Sequence, residues 1–215
     1  MFNRAFDLVA GTRDFYADPT YYNHEFDRRK ADIEWYRELY LQIDEPVLEL
    51  GVGSGRIALR AARKGARIVG IDLSEPMLEA AEAGRQRLPK AKRDHVELHH
   101  GDMRDFDLGR RFRLVTCPFN AFQHLYTVDD ARRCLAMVDK HLAPGGRFVV
   151  DVLLPDLEYL LRPPFKRFTG AKLTHPTWNT AYIYSEQSAY DAARQLNHMV
   201  FTYDRAGPKG HDDAP

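Results

Sequence analysis

Three glycines alternate through Gly51-Val52-Gly53-Ser54-Gly55, between the apolar run Val47-Leu48-Glu49-Leu50 and a basic stretch that starts at Arg56. Glycine has no Cβ and tolerates positive φ, so such a turn can bend sharply and let a ligand approach its backbone. A strand-to-helix turn also presents free N–H groups and the positive end of a helix dipole to an anion. A second apolar run, Ala66-Arg67-Ile68-Val69-Gly70-Ile71, ends at Asp72, twenty-one residues after Gly51. At that separation a doubly wound sheet sets an acid against ribose hydroxyls. A third acid, Asp102, follows Val96-Glu97-Leu98-His99, where it could accept from an adenine amino group with Leu73 and Met103 against the ring faces. Ordinary turn chemistry competes for both acids: Asp72 as a residue at a helix entrance, Asp102 as a turn aspartate. Taken together, the spacing points to an adenosine cofactor.

The elements that must hold these residues follow from periodicity. Ile33, Trp35, Tyr36, Leu39 and Tyr40 recur at helical spacing, so an amphipathic helix is expected over 27–42. Ahead of it, residues 12–26 are rich in aromatics, with Pro19 expected to break the chain. Strands are expected at 47–50, 66–71, 96–99, 113–117 and 147–153. Between them the pattern gives helices over 56–64, closed by Gly65, from Ser74-Glu75-Pro76 to before Pro89, and over 129–142. Pro144-Gly145-Gly146 reads as a turn. This alternation calls for a parallel sheet covered on both faces. After Pro155 the rhythm changes: 181–186 and 198–203 read as antiparallel strands joined by a turn at 191–194, and the last dozen residues read as frayed. The organisation expected is an aromatic-rich segment and helix over 1–43, a Rossmann-like core over 44–161, and an antiparallel β extension over 162–215.

Composition narrows the partners. The 215 residues suit one full-sized core with an appendage, and 44% apolar with 29% charged residues is globular rather than disordered. Thirty-one basic residues balance thirty-one acidic ones, which removes the global attraction of a dedicated nucleic-acid binder. The basic run Arg85, Arg87, Lys90, Lys92 and Arg93 follows a helix and reads as a solvated face. Cys117 and Cys134 are the only cysteines, which excludes a CxxC site and fits buried thiols in a reducing compartment. His99 and His100, adjacent on a strand, face opposite ways and do not pair on one metal. Neither a signal-peptide core nor a run of about 18 apolar residues is present, so a cytoplasmic protein without a membrane span is expected.

A nicotinamide dehydrogenase is the first rival. Its GxGxxG places the third glycine one residue later than Gly55, and Arg56 follows instead. A P-loop is excluded because no Gly-Lys-Ser/Thr follows the glycines. Residues 47–56, 69–78, 101–103, 112–125 and 142–152 resemble the successive motifs of class I S-adenosylmethionine-dependent methyltransferases, from about residue 27 to 153. The tyrosine-rich entry, Phe119-Asn120-Ala121-Phe122-Gln123-His124-Leu125 and the late antiparallel strands resemble the small-molecule branch, which includes amino-sugar N,N-dimethyltransferases.

The resemblance implies roles residue by residue. Gly51, Gly53 and Gly55 line the methionine half of S-adenosylmethionine, with Glu49 supporting its ammonium or the turn. Asp72 takes the ribose hydroxyls and Leu73 flanks the adenine. Asp102 takes the adenine amino group and the Met103 backbone meets the ring edge. Pro118 and Phe119 lie near the sulfonium, and Tyr22, with Tyr21 or Arg28 as alternatives, closes over the cofactor. His124 follows the strand that ends beside the methyl group and is the candidate general base, with a substrate-orienting role as its alternative. The superfamily usually ends with two further strands in the main sheet, so the late strands are either that pair or a separate sheet roofing the active site. In the second case an edge is left for a partner, and the C-terminal strands offer a homodimer seam. The function expected is methyl transfer to a nitrogen or oxygen of a small molecule, without nucleic acid, membrane or metal. The alternatives are a non-catalytic cofactor-binding protein and a methyltransferase acting on RNA or protein.

Overall fold

The computed structural model of the protein describes residues 8–164 and 166–206, and the tail expected to fray beyond residue 206 lies outside the described residues. The chain divides into two compact units, with the division between Leu153 and Leu154. The first begins with helices α1 (Leu8–Phe15), α2 (Pro19–Phe26) and α3 (Ala31–Leu41), followed by β1 (Val47–Leu50) and α4 (Ala58–Lys64). It continues through β2 (Ile68–Asp72), α5 (Glu75–Gln86), the short α6 (Lys90–Arg93), β3 (Val96–His100) and β4 (Phe112–Cys117), then α7 (Val128–His141) and β5 (Leu142–Val150).

Five parallel strands in the order β3-β2-β1-β4-β5 form one sheet, the doubly wound architecture expected from the strand–helix alternation. Because β1 is central, all four of its residues are buried. Its alternate side chains serve opposite faces. Val47 packs with Ile33, Tyr36, Leu39 and Tyr40 of α3 and with Ala58, Ala61 and Ala62 of α4. Leu48 and Leu50 pack with Val115, Cys117 and, from α7, Cys134 and Val138. Full burial of a Val or Leu side chain contributes about 1.5–3 kcal/mol, so this strand adds substantially to the core on both faces. Both cysteines are buried free thiols.

Local signals set most boundaries. Ser74 caps α5 by accepting from the Met77 N–H, with Pro76 inside the first turn. Thr127 caps α7 in the same way through Asp130, and Gly65 closes α4. Three expectations are corrected. Pro19 begins a helix rather than breaking the chain, because Asp18 accepts from the Tyr21 N–H and Pro19 fills the first helical position, where no N–H is needed. The helix expected over 27–42 is confined to Ala31–Leu41. Pro144-Gly145-Gly146 does not precede β5 but lies within it, at a register shift against β4 between Phe112 and Leu114.

The second unit holds α8 (Leu157–Leu160) and three antiparallel strands, β6 (Phe168–Thr174), β7 (Ala181–Asp191) and β8 (Leu196–Arg205), in that order. These late strands are therefore a sheet of their own and not the last pair of the parallel sheet, whose outer strands are β3 and β5. The turn expected at 191–194 is present, with Asp191 Oδ1 accepting from the Ala193 and Arg194 N–H groups. Beneath the strands, the Arg162 guanidinium lies between the Tyr159 and Phe168 rings, 4.4 and 4.6 Å from their centroids, and pairs with Glu186 at 2.9 Å. Among the described residues, no helix is long and apolar enough to cross a membrane.

Candidate active site

The C-terminal ends of β1, β2 and β3 bring the three predicted acids to one edge of the sheet. Between the first two runs the glycine turn, with Gly51 at φ 70°, Gly53 at 55° and Gly55 at 77°, uses a backbone region that other residues rarely adopt. A Cβ on Gly51 would come within 2.6 Å of the Ala121 Cβ, so this position is closed by packing. A Cβ on Gly53 would meet nothing nearer than the Met77 Cε at 4.0 Å. Gly53 is therefore the bare stretch of backbone that a ligand can lie against.

Asp72 is tied into that turn. Its Oδ2 accepts from the Gly53 N–H at 2.7 Å and its Oδ1 from the Ser74 N–H at 2.8 Å. Burial raises its carboxyl above the ordinary range, against backbone bonds from Ser74, Gly53 and Leu73 that pull it down. A carboxylate has about four acceptor positions, so capacity remains for a hydroxyl donor. Leu73 is 58% exposed beside it, and Met103 is half-buried across the cleft. Asp102, at the end of β3, accepts from the backbone and side chain of Arg104. Burial pushes the Asp102 carboxyl up, but the Arg104 bonds and charge outweigh it and hold it below the ordinary range.

Glu49 is 2% exposed and belongs to a row that local sequence reasoning missed. Tyr40 donates to Glu49 Oε2 at 2.8 Å and lies 2.7 Å from Thr116 Oγ1, which donates to the Leu48 carbonyl at 3.4 Å. Burial pushes the Glu49 carboxyl up to about 8, against the opposing pull of Tyr40 and Arg56. Its folded value thus stands above the ordinary 4.5, and the stability it contributes is full below about pH 4.5 and lost as pH rises through about 8. Melting temperatures measured from pH 6 to 9 are expected to fall in the wild type relative to Glu49→Gln. Parallel profiles would mean that Glu49 is ionised throughout.

The floor and lid of the cleft come from distant segments. Pro118 is buried at the end of β4, and Phe119 and Asn120 both sit at positive φ, 53° and 61°. The Asn120 N–H donates to Asp151 Oδ1 at 3.0 Å, which holds this turn. Phe119 covers the Arg56 guanidinium, 4.2 Å from ring centroid to Cζ, while Arg56 pairs with Asp32 of α3. Tyr22 packs edge-on against Phe15, 6.0 Å between centroids, and burial pushes its phenol up to about 12. Asn23, beside it, accepts from the Ser54 hydroxyl at 2.5 Å. Tyr21 also lies on α2, whereas Arg28 is exposed just beyond it.

His124 closes the 3-10 turn Ala121–His124. Its Nε2 lies 2.8 Å from the Tyr16 hydroxyl and its Nδ1 3.1 Å from the Tyr126 hydroxyl, which is 2.5 Å from Thr12 Oγ1. The residue as a whole is exposed, but its ring nitrogens face these phenols, and that desolvation lowers its basicity. His124 is thus less basic than a free imidazole and is tied to Tyr16, the residue after α1.

Tyr22, Glu49, Gly51, Gly53, Pro118 and Phe119 enclose a cavity of about 40 Å³. That is room for about three waters and not for a nucleoside, at roughly 10–15 Å³ of such space per water. The donors and acceptors at this turn suit an adenosine cofactor. A larger hollow of about 610 Å³, between α5 and β3, is lined by Leu78, Glu79, Glu82 and His100. The glycine turn contributes nothing to its lining. Among the described residues, no cluster of three or more His, Cys, Asp or Glu could hold a metal.

Residues 47–146 match a family model described as a methyltransferase domain. A dTDP-4-amino-2,3,4,6-tetradeoxy-D-glucose N,N-dimethyltransferase of Saccharopolyspora spinosa is 36% identical over 107 residues, 50% of this chain and 40% of that protein. The chain therefore spans less than half the length of that curated relative. Among solved structures, the CcbJ methyltransferase of Streptomyces caelestis is similar with a TM-score of 0.65 at 25% identity, over 87% of this chain and 81% of that one. The glycopeptide N-methyltransferase MtfA, complexed with S-adenosyl-L-homocysteine, gives 0.55 at 26% identity, over 81% and 70%.

Proposed function

Because residues 47–146 match a methyltransferase-domain model, we propose that the chain binds S-adenosylmethionine at the glycine turn and methylates a nitrogen or oxygen of a small molecule. One observation carries the reading: Glu49, Asp72 and Asp102 end three neighbouring strands around a turn whose Gly53 backbone is open to a ligand. In this reading Asp72 holds the ribose hydroxyls, Leu73 and Met103 flank the adenine, and Asp102 takes its amino group. Gly51, Gly53 and Gly55 accommodate the methionine half, with Glu49 beneath them. Pro118, Phe119 and Tyr22 exclude water from the reacting end.

The cofactor brings a methyl group already activated on a sulfonium, so the protein's task is alignment and exclusion of water. An amine acceptor must lose a proton, and His124, held between the Tyr16 and Tyr126 hydroxyls, can take one relayed through the phenol that donates to its unprotonated nitrogen. His124→Gln is expected to lower kcat about 100-fold, the scale of general-base catalysis, with loss of the acidic limb of the pH–rate profile. An unchanged kcat would leave the histidine only its orienting part between α1 and the cleft.

An amino group on a sugar is the first acceptor to try, since the Saccharopolyspora relative is named for one. Transfer of labelled methyl groups to a panel of amino-sugar nucleotides, simple amines, phenols and carboxylates tests the reading. Cofactor binding without transfer would favour a non-catalytic role, and transfer only to RNA or protein a macromolecular substrate. Balanced charge supports the absence of nucleic acid. The cytoplasm and a homodimer through the C-terminal strands complete the proposal; sedimentation of the wild type against a strand-edge variant checks the dimer.

A further inference from the structure

Arg104 lies two residues after Asp102 and folds its side chain back over the same turn. Its Nε is 2.9 and 3.0 Å from the two Asp102 carboxylate oxygens, and one terminal nitrogen is 2.6 Å from Oδ2. The Arg104 N–H also donates to Oδ1, at 2.8 Å. The other terminal nitrogen reaches Asp130 Oδ1 at 2.7 Å. Asp130 is itself fixed, because the Thr127 hydroxyl donates to its Oδ2 at 2.7 Å and accepts from its N–H at 3.0 Å. One guanidinium thus joins the turn after β3 to the first turn of α7.

Acceptor bookkeeping gives this bridge a consequence. A carboxylate offers about four acceptor positions. Asp102 Oδ1 takes the Arg104 N–H and a share of the Nε proton, and Oδ2 takes the terminal N–H and the other share. Three N–H donors therefore share about four positions, which leaves room for one further donor. The planar fork of arginine also restrains the rotation of a carboxylate that it grips with two nitrogens. An ionised carboxylate has no proton to give, so it can receive an exocyclic amine but not serve a carbonyl in its place.

We propose that Arg104 is a positioning residue for nucleobase selection: braced on Asp130, it holds the Asp102 carboxylate in one orientation, so that the site accepts adenine and rejects hypoxanthine. This rests on the reading of Asp102 as the acid that faces the adenine. Without the guanidinium, Asp102 can turn, and the discrimination declines.

Calorimetric titration of the full chain with S-adenosylhomocysteine and with S-inosylhomocysteine, which carries a carbonyl in place of the 6-amino group and an N–H in place of the N1 lone pair, tests it. The wild type is expected to prefer the adenine compound by on the order of 100-fold, the scale of a site built around one buried donor–acceptor pair. Arg104→Met is expected to reduce that preference to below about tenfold. Arg104→Lys, which keeps the charge without the fork, should fall between. Asp130→Asn, which loosens the brace while leaving Arg104 in place, should also reduce the ratio and serves if Arg104→Met does not fold. Equal losses for both compounds in the arginine variants, with the ratio intact, would reduce Arg104 to a structural tie and overturn the proposal. A wild type that binds adenosylhomocysteine without preference overturns the base-selection idea while leaving the cofactor reading standing. A folded wild type that binds neither overturns both.

Discussion

Asp72→Ala is expected to weaken S-adenosylhomocysteine binding by about 100-fold in calorimetry, from a wild-type affinity near micromolar, or about −8 kcal/mol. The half-buried carboxylate is the one acid at the end of β2, and its bonds to Gly53 and Ser74 hold it at the rim of the glycine turn. Charge-assisted hydrogen bonds to hydroxyls contribute about 1.5–3 kcal/mol each. The substitution also removes the acceptor of two backbone N–H groups, at about 1–3 kcal/mol for each one left dry. Asp72→Asn, which retains one acceptor oxygen, separates this from the ligand effect. Its fold should be closer to that of the wild type while its affinity remains low. Wild-type affinity in a folded Asp72→Ala sample would remove this residue from the ribose role.

The second large effect is a contrast between neighbouring glycines. Gly51→Ala places a Cβ within 2.6 Å of the Ala121 Cβ at a φ of 70°, combining left-handed backbone strain of about 1–2 kcal/mol with overpacking of about 1–3 kcal/mol. A loss near 3 kcal/mol corresponds to a Tm about 10 °C lower in a chain of this size. Gly53→Ala meets no atom nearer than 4.0 Å, so only the strain applies and Tm should fall about 3 °C. Its methyl group, however, enters the space that a ligand would use, and S-adenosylhomocysteine affinity is expected to fall at least tenfold. Thermal melts and titrations of both variants check the crossed pattern. A Gly53→Ala protein with full affinity would move the ligand away from the turn.

The strands and acids were readable because their signals are local. Val47–Leu50 is a continuous apolar run as a strand buried on both faces must be, and Ser74 and Gly65 mark helix ends by their own capping chemistry. β6 was missed because most of Phe168–Thr174 is exposed, so it lacks the alternation that marks a half-buried strand. α1 and α2 were missed for a related reason: they are short, and α2 has no buried residue, so no apolar stripe declares them. The proline there was misread because its meaning depends on Asp18 capping the turn beside it.

By itself the sequence determined the parallel core, the glycine turn and the three acids that end its first three strands. Each is encoded by residue type and spacing within one strand–turn–helix unit, where sterics and hydrogen-bond needs act between near neighbours. The tertiary structure alone decided what surrounds those acids: Tyr40 and Thr116 against Glu49, Arg104 spanning Asp102 and Asp130, and Tyr16 against His124. Apart from the local Arg104–Asp102 contact, these pairings join residues 9 to 108 positions apart. Whether a buried acid is neutral, braced or open to a ligand depends on which partner packing brings within about 3 Å. Polar side chains can pair with many others, so only the completed fold selects the partner.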